Sequence, residues 1–252
     1  MEVFRMKKST SLLCLFVLLV TMAAYSQTDN DNKNFSIDKY IIARRNMVDQ
    51  YVVGFGMFDK NIIQAFLKVP RHEFVLPEFV SNAYDDSTVP FTKDMSISRP
   101  YEIALMTRLL DLKGNEKVLE LGTGSGYHTA ILSQLCAAVY TVDIQPDIKK
   151  AAEERLVKLG YKNIYCRLGQ GTLGWQEEAP FDAIIVGFAA DSIIPELVKQ
   201  LKDGGRLVIP VENTSGEQQL KLVVKKGDKT EVKDIISVKF IKMIKADSVQ
   251  VQ

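Results

Sequence analysis

The stretch "VLELGTGSGYHTAIL" (118–132) constrains the fold more than any other part of the chain. The apolar run "KVLEL" (117–121) reads as a buried strand, and 126–136 as the amphipathic helix after it. Between them Gly122, Gly124 and Gly126 stand at alternate positions. Glycine turns the backbone tightly at no steric cost and leaves room for a ligand against the following helix. A strand, a glycine loop and a helix in that order imply an α/β protein with a parallel sheet whose loop is a binding edge.

The flanking sequence repeats this rhythm. "AVYTVD" (138–143) is a second strand, and Pro146 opens a helix that Gly160 ends. "NIYCRL" (163–168) is a third strand, and "FDAIIVGF" (181–188) a fourth, apolar enough to be central. A helix is expected around 192–202, stopping at "DGG", before a fifth strand "RLVIPV" (206–211). "QQLKLVVKK" and "KDIISVKFIKM", with "GDKT" between them, read as a C-terminal antiparallel hairpin. Upstream, 37–53 is helical, and Asp59 is the N-cap of a helix over 61–68. The region of "VPRHEFVLPEFV" (69–80) and the 89–101 loop is expected to form a lid over the sheet's carboxyl edge, where open α/β folds bind ligands.

The N-terminus has a different character. Arg5, Lys7 and Lys8 precede an uncharged apolar stretch (12–24), and Ala24, Tyr25 and Ser26 supply a small-x-small site. This layout predicts a secretory signal peptide over 1–26, too short in its apolar run for a comfortable membrane span. An uncleaved anchor is the alternative. The expected division is signal 1–26, polar spacer 27–36, helical extension and active-site loop 37–115, and core 116–245. Cleavage removes three basic residues and one acid, taking the formal net charge from +1 to −1. No basic field argues for nucleic acid. Cys136 and Cys166 read as small buried residues rather than a disulfide, and two histidines with no ligand spacing argue against zinc.

The glycine loop also narrows the ligand. A dinucleotide fingerprint needs G-x-G-x-x-G, and Tyr127 occupies its last glycine; a P-loop needs a lysine that is absent. The pattern present is E-x-G-x-G-x-G, that of S-adenosylmethionine-dependent methyltransferases, with Glu120 at the strand end. Asp143, at the end of the second strand, is placed to accept ribose hydroxyls.

Several separated segments then resemble one family, the protein-L-isoaspartate O-methyltransferases. They are "AFLKVPRHEFV" (65–75), "AYDDSTVPF" (83–91), "SISRPYEIALMTRLLDL" (96–112), the glycine loop, "LGWQEEAPFDAIIV" (173–186), "QLKDGGRLVIPV" (200–211) and "VKFIKM" (238–243). The resemblance implies a Rossmann-like class I methyltransferase fold with a C-terminal antiparallel hairpin and an N-terminal helical extension. It implies methyl transfer from S-adenosyl-L-methionine to the free carboxylate of L-isoaspartyl residues in damaged proteins and peptides, whose ester cyclises to a succinimide.

By position Ser98 is the implied active-site serine, holding the substrate carboxylate. Glu120, Gly122, Thr123, Gly124, Ser125, Gly126, Asp143, Gln170 and Gly171 are the implied cofactor-binding residues. No metal is implied, and the expected partners are isoaspartyl proteins and peptides. The expected state is a monomer with no nucleic acid and no stable membrane association once the signal is cleaved. The chain departs from the family at 92–95, which lacks the G-x-G-Q of its relatives. It also departs at Arg99 and Gln170, and at His128, where glutamine is frequent. Two other readings stand beside this one: an exported methyltransferase of the same fold with a different carboxylate or small molecule as acceptor, and a non-catalytic binding descendant.

Overall fold

The structure, a computed structural model, describes residues 39–244; the expected signal and the spacer lie outside them. The chain divides into two compact units after Ile42, and of the first only 39–42 are described, as the opening residues of helix α1 (Lys39–Val48). In the second unit α1 ends and passes into a π turn, Asp49–Val53. Helix α2 (Lys60–Lys68) follows, and its N-cap is the expected one: Asp59 Oδ1 accepts from the backbone N–H of Asn61 at 2.9 Å and Ile62 at 3.2 Å.

A short hairpin, β1 (Val89–Pro90) with β2 (Ser96–Ile97), precedes α3 (Pro100–Leu110). The core then runs β3 (Lys117–Leu121), α4 (Tyr127–Ser133), β4 (Ala138–Asp143), α5 (Pro146–Lys158), β5 (Ile164–Leu168) and β6 (Phe181–Val186). Helix α6 (Pro195–Lys199), β7 (Leu201–Glu212), β8 (Gln218–Lys226) and β9 (Lys229–Val238) complete it. The sheet order is β5-β4-β3-β6-β7-β8-β9, parallel from β5 to β7 and antiparallel beyond. The chain winds outward from β3 through β4 to β5, then returns to place β6 on the other side of β3. That reversal is the switch point at which such sheets open a crevice.

The central strands β3, β6 and β7 bury apolar residues on both faces because both are covered there. Leu119 and Leu121 of β3, Ile184 and Val186 of β6, and Leu207 and Ile209 of β7 share one apolar cluster with Leu197 of α6. Their neighbours Val118, Ala183, Ile185 and Val208 pack on the opposite side with Met106 and Leu110 of α3 and Leu132 of α4. This period-two division puts Glu120 on the α3/α4 side of the sheet.

Two expectations about local structure change. Helix α6 is a single turn or so, and "DGG" lies within β7 instead of ending a helix. Leu201 already pairs with Phe181, and the ladder resumes at Arg206 opposite Ala183, so 202–205 form a bulge with Gly204 at φ +75°. The C-terminal turn is also tighter than expected. Lys226 faces Lys229, so the loop is two residues, and Lys229 and Thr230 belong to β9. Cys136 and Cys166 are both free thiols; Cys136 is buried, with its Sγ 3.2 Å from the Leu132 carbonyl.

Candidate active site

The carboxyl ends of β3, β4 and β6 open into a cleft of about 560 Å³, within the range of small-molecule sites. The loop 122–126 forms one wall. Gly122 donates to the Val142 carbonyl at 2.8 Å, while Gly187, after β6, donates to the Leu121 carbonyl at 2.8 Å. These two bonds carry the β3–β4 and β3–β6 ladders one step further, to the start of the loop. Gly122, Gly124 and Gly126 have φ of +90°, +53° and +84°, a region L side chains rarely enter. Space is a second constraint at some of them. A Cβ on Gly124 would lie 3.4 Å from the Phe91 ring, and one on Gly171 would lie 2.9 Å from the Phe188 ring. Phe91 from the β1–β2 hairpin and Phe188 after β6 therefore pack directly on the backbone around the cleft.

Two buried carboxylates organise the strand ends. Glu120 is 2 % exposed, and its Oε2 accepts from Thr129 Oγ1 at 2.5 Å and Thr141 Oγ1 at 2.8 Å. Burial pushes its pKa up to about 7 against the pull of those two hydroxyls, and nearby Asp143 adds to the rise. Thr141 commits its one hydroxyl proton to Glu120, so the 2.7 Å contact with Thr123 Oγ1 is a donation from Thr123. Asp143 at the end of β4 accepts from the N–H of Gly124 on Oδ2 and of Gln145 on Oδ1, each at 3.0 Å. Burial raises its pKa, and backbone N–H groups oppose the rise.

The far wall is built by a strap that Arg71 holds. Arg71 has no exposed surface; its Nε donates to the Ala83 carbonyl at 2.9 Å and its Nη2 to the Ser98 carbonyl at 2.8 Å. Its guanidinium carbon sits 4.8 Å from the centre of the Tyr127 ring. A permanently charged fork thus fastens residues 12 and 27 positions away to the base of the cofactor loop's helix. Ser98 lies between β2 and α3 and lines the cleft. Next to it, Arg99 forms a forked ion pair with Asp86 (Nε–Oδ1 3.3 Å), and its backbone N–H donates to Glu102 at the start of α3. The 92–95 segment is a tight turn: Thr92 Oγ1 accepts from the N–H of Met95 at 2.9 Å, the role of a backbone-directed side chain in a turn. Met95 Sδ then lies 3.6 Å from Gln145 Nε2, so the hairpin tip reaches the end of β4.

Of the residues singled out from the sequence, Ser98, Glu120, Gly122, Gly124, Ser125, Asp143, Gln170 and Gly171 all line this one cleft. Thr123 and Gly126 stand behind its wall. Thr123 turns its hydroxyl to Thr141, and Gly126 packs against α5, where an added Cβ would lie 3.3 Å from Leu156. Sequence reasoning placed Phe91 in the covering segment without singling it out, and it missed Phe188 and the cleft position of 239–244, which also line the cleft. That segment is held by the N–H of Ala189 to the Ile241 carbonyl, 2.8 Å, and of Met243 to the Ala189 carbonyl, 2.9 Å. The signal for Phe188 was its place at the end of a central strand next to β3; 239–243 was read as the end of the hairpin's second strand, and only its pairing with Ala189 brings it to the cleft.

A parallel sheet with a switch point after β3, a glycine loop beneath a covering hairpin and an acid at the end of the next strand define a Rossmann-like class I methyltransferase fold. Residues 44–248 match the Protein-L-isoaspartate(D-aspartate) O-methyltransferase (PCMT) family. A relative from Shewanella sediminis, protein-L-isoaspartate O-methyltransferase 2, is 44% identical over 237 residues, covering 92% of this chain and 94% of its own. The protein-L-isoaspartate O-methyltransferase of Dictyoglomus thermophilum is 44% identical over 84% of this chain and 95% of its own. The chain belongs to this family. A solved protein-L-isoaspartate O-methyltransferase superposes with a TM-score of 0.75 at 28% identity, over 80% of this chain and 66% of that one. A Plasmodium falciparum structure solved with S-adenosyl-L-homocysteine shares the fold at a TM-score of 0.70 and 22% identity, over 80% of this chain and 98% of that one.

Proposed function

We propose that this chain transfers a methyl group from S-adenosyl-L-methionine to the free carboxylate of L-isoaspartyl residues in damaged proteins and peptides. The observation that carries the reading is the meeting of Ser98 with Glu120, Gly122, Gly124, Asp143, Gln170 and Gly171 around one cleft, in a member of this family. The residues suit the cofactor. Asp143 stands at the end of β4 on the cleft, held by backbone N–H donors, where its carboxylate can accept ribose hydroxyls. Gln170 and Gly171 sit beyond it at the end of β5, where an adenine would reach them. Glu120 suits a cationic neighbour. When bound, the cofactor supplies a methyl carbon activated by a positively charged sulfur.

The protein has little chemistry of its own to perform. The acceptor carboxylate is ionised at neutral pH, so no general base is needed. Ser98 donates its hydroxyl proton to that carboxylate and fixes its direction of approach; Phe91, Ile103, Met106 and Phe188 exclude water around it. The test is methyl incorporation from labelled S-adenosylmethionine into paired peptides that differ only in Asp versus isoAsp. Base-labile label in the isoAsp peptide alone supports the reading. The filled turn at 92–95, with Thr92 where relatives carry glycine, favours one second reading, a different carboxylate acceptor. Cofactor binding with label in neither peptide would support that one, and no cofactor binding would point to a non-catalytic descendant.

The same proposal has the chain exported by residues 1–26 and acting as a monomer, free of the membrane once that segment is removed. What supports export is the basic patch, apolar stretch and small-x-small site of the sequence. Among the described residues no helix is long and apolar enough to cross a membrane. Intact mass and sedimentation of the chain recovered from outside the cytoplasm test both points.

A further inference from the structure

His128 is a polar residue of the cleft wall to which the proposed reaction gives no task. It is the second residue of α4, with Nε2 2.9 Å from Thr107 Oγ1 on the facing helix α3. Thr107 commits its single hydroxyl proton to the Ile103 carbonyl one turn back, at 2.7 Å. Its oxygen can therefore only accept from His128, which fixes the proton on Nε2 and leaves Nδ1 as a bare lone pair. Burial pushes the imidazole pKa down to about 3, so the ring stays neutral and Nδ1 stays an acceptor. Nδ1 bonds to nothing among the described residues, and the cleft is what His128 borders.

His128 and Asp143 both line the cleft along which the loop 122–126 runs. Gly124 N–H binds Asp143, and His128 follows four residues later in the first turn of α4; all three line the cleft. With the ribose at Asp143, the amino-acid end of a ligand in this cleft would have His128, Met106 and Glu120 available as neighbours. That end bears an ammonium with three N–H donors, and a neutral, rotationally fixed acceptor is the group that receives one. We infer that His128 Nδ1 accepts a hydrogen bond from the α-ammonium of the bound cofactor, with Thr107 setting the tautomer that makes this possible. The inference rests on the donor-site reading above and adds a recognition residue to it.

Calorimetric titration with two ligands tests it. S-adenosylhomocysteine carries the ammonium, and 5′-methylthioadenosine lacks the amino-acid end altogether. His128→Leu should weaken S-adenosylhomocysteine at least tenfold, as for lost hydrogen bonds to charged groups, while methylthioadenosine stays within twofold. Retained methylthioadenosine binding also shows that the variant is folded. His128→Gln, which keeps an acceptor, should hold both ligands within threefold of the unmodified chain. Thr107→Val, which frees the tautomer, should act like His128→Leu in direction. Equal weakening of both ligands by His128→Leu, or no weakening of S-adenosylhomocysteine, overturns the inference while leaving the donor site standing. Failure of the unmodified chain to bind either ligand overturns the donor site and the inference together.

Discussion

Replacing Glu120 by Gln should make the protein more stable at pH 8 and leave it little changed at pH 4.5. The Glu120 carboxyl is raised from 4.5 to about 7 in the folded state, chiefly by burial. Below pH 4.5 it is protonated in both folded and unfolded chains and contributes no pH-dependent term. Between 4.5 and 7 the unfolded chain has released the proton while the folded chain keeps it, so stability falls as pH rises, at about 1.4 kcal/mol per pH unit. Above 7 both states are ionised and the full penalty stands, about 3 kcal/mol for a shift of this size. Gln cannot ionise, and its amide oxygen can accept the same two hydroxyl protons from Thr129 and Thr141. The gap between Glu120→Gln and the unmodified chain should therefore open from near zero at pH 4.5 to about 3 kcal/mol at pH 8. Urea unfolding at pH 4.5, 5.5, 6.5 and 8 measures it, because every other titrating group is common to both proteins and cancels. A gap that is flat with pH, or that closes as pH rises, refutes the assignment of a raised carboxyl at this position. The same reasoning has a functional side. A cation at Glu120 favours its ionised form, so cofactor binding at pH 7 should release protons, read from the buffer dependence of the binding enthalpy, and less should be released by Glu120→Gln.

Ser98→Ala should lower kcat/KM for an isoaspartyl peptide roughly ten- to a hundredfold, the worth of a hydrogen bond to a charged group, with S-adenosylhomocysteine affinity within twofold. Parallel loss of both would remove Ser98 from the role of holding the acceptor. Arg71→Met leaves the carbonyls of Ala83 and Ser98 without their donor, each worth about 1–3 kcal/mol, partly offset because no charge is then buried. A net loss of about 2 kcal/mol is expected, with turnover falling further than cofactor affinity; an unchanged urea midpoint would contradict the bracing role. Gly126→Ala should cost about 1–2 kcal/mol for its left-handed φ plus the displacement of Leu156. Gly160→Ala, at a similar φ with open space around it, should lose only the first part, and equal losses at the two sites would show that the contact with α5 is slack.

What could be read directly from the amino-acid order is what neighbouring residues decide among themselves. β3 and β4 lie where their apolar runs place them, Asp59 caps α2, and Pro146 opens α5. Period-two burial, capping and proline geometry are local, so short stretches suffice to show them. The glycine loop belongs with these, since its positive φ values are demanded at those very residues. The tertiary structure alone decided which residues meet across long separations. Nothing near Arg71 in sequence announces that it will hold the carbonyl of Ser98, nor does anything near Ala189 announce its pairing with 239–244. The bulge at 202–205 likewise follows from the demand that both Leu201 and Arg206 pair with β6, which the "DGG" run by itself conceals. Thr123 shows the same division in one side chain: its loop position was legible, but its direction depended on Thr141, 18 residues away on the next strand. Conformation follows from each residue's own backbone and its neighbours, whereas side-chain partners are chosen only once the sheet has packed.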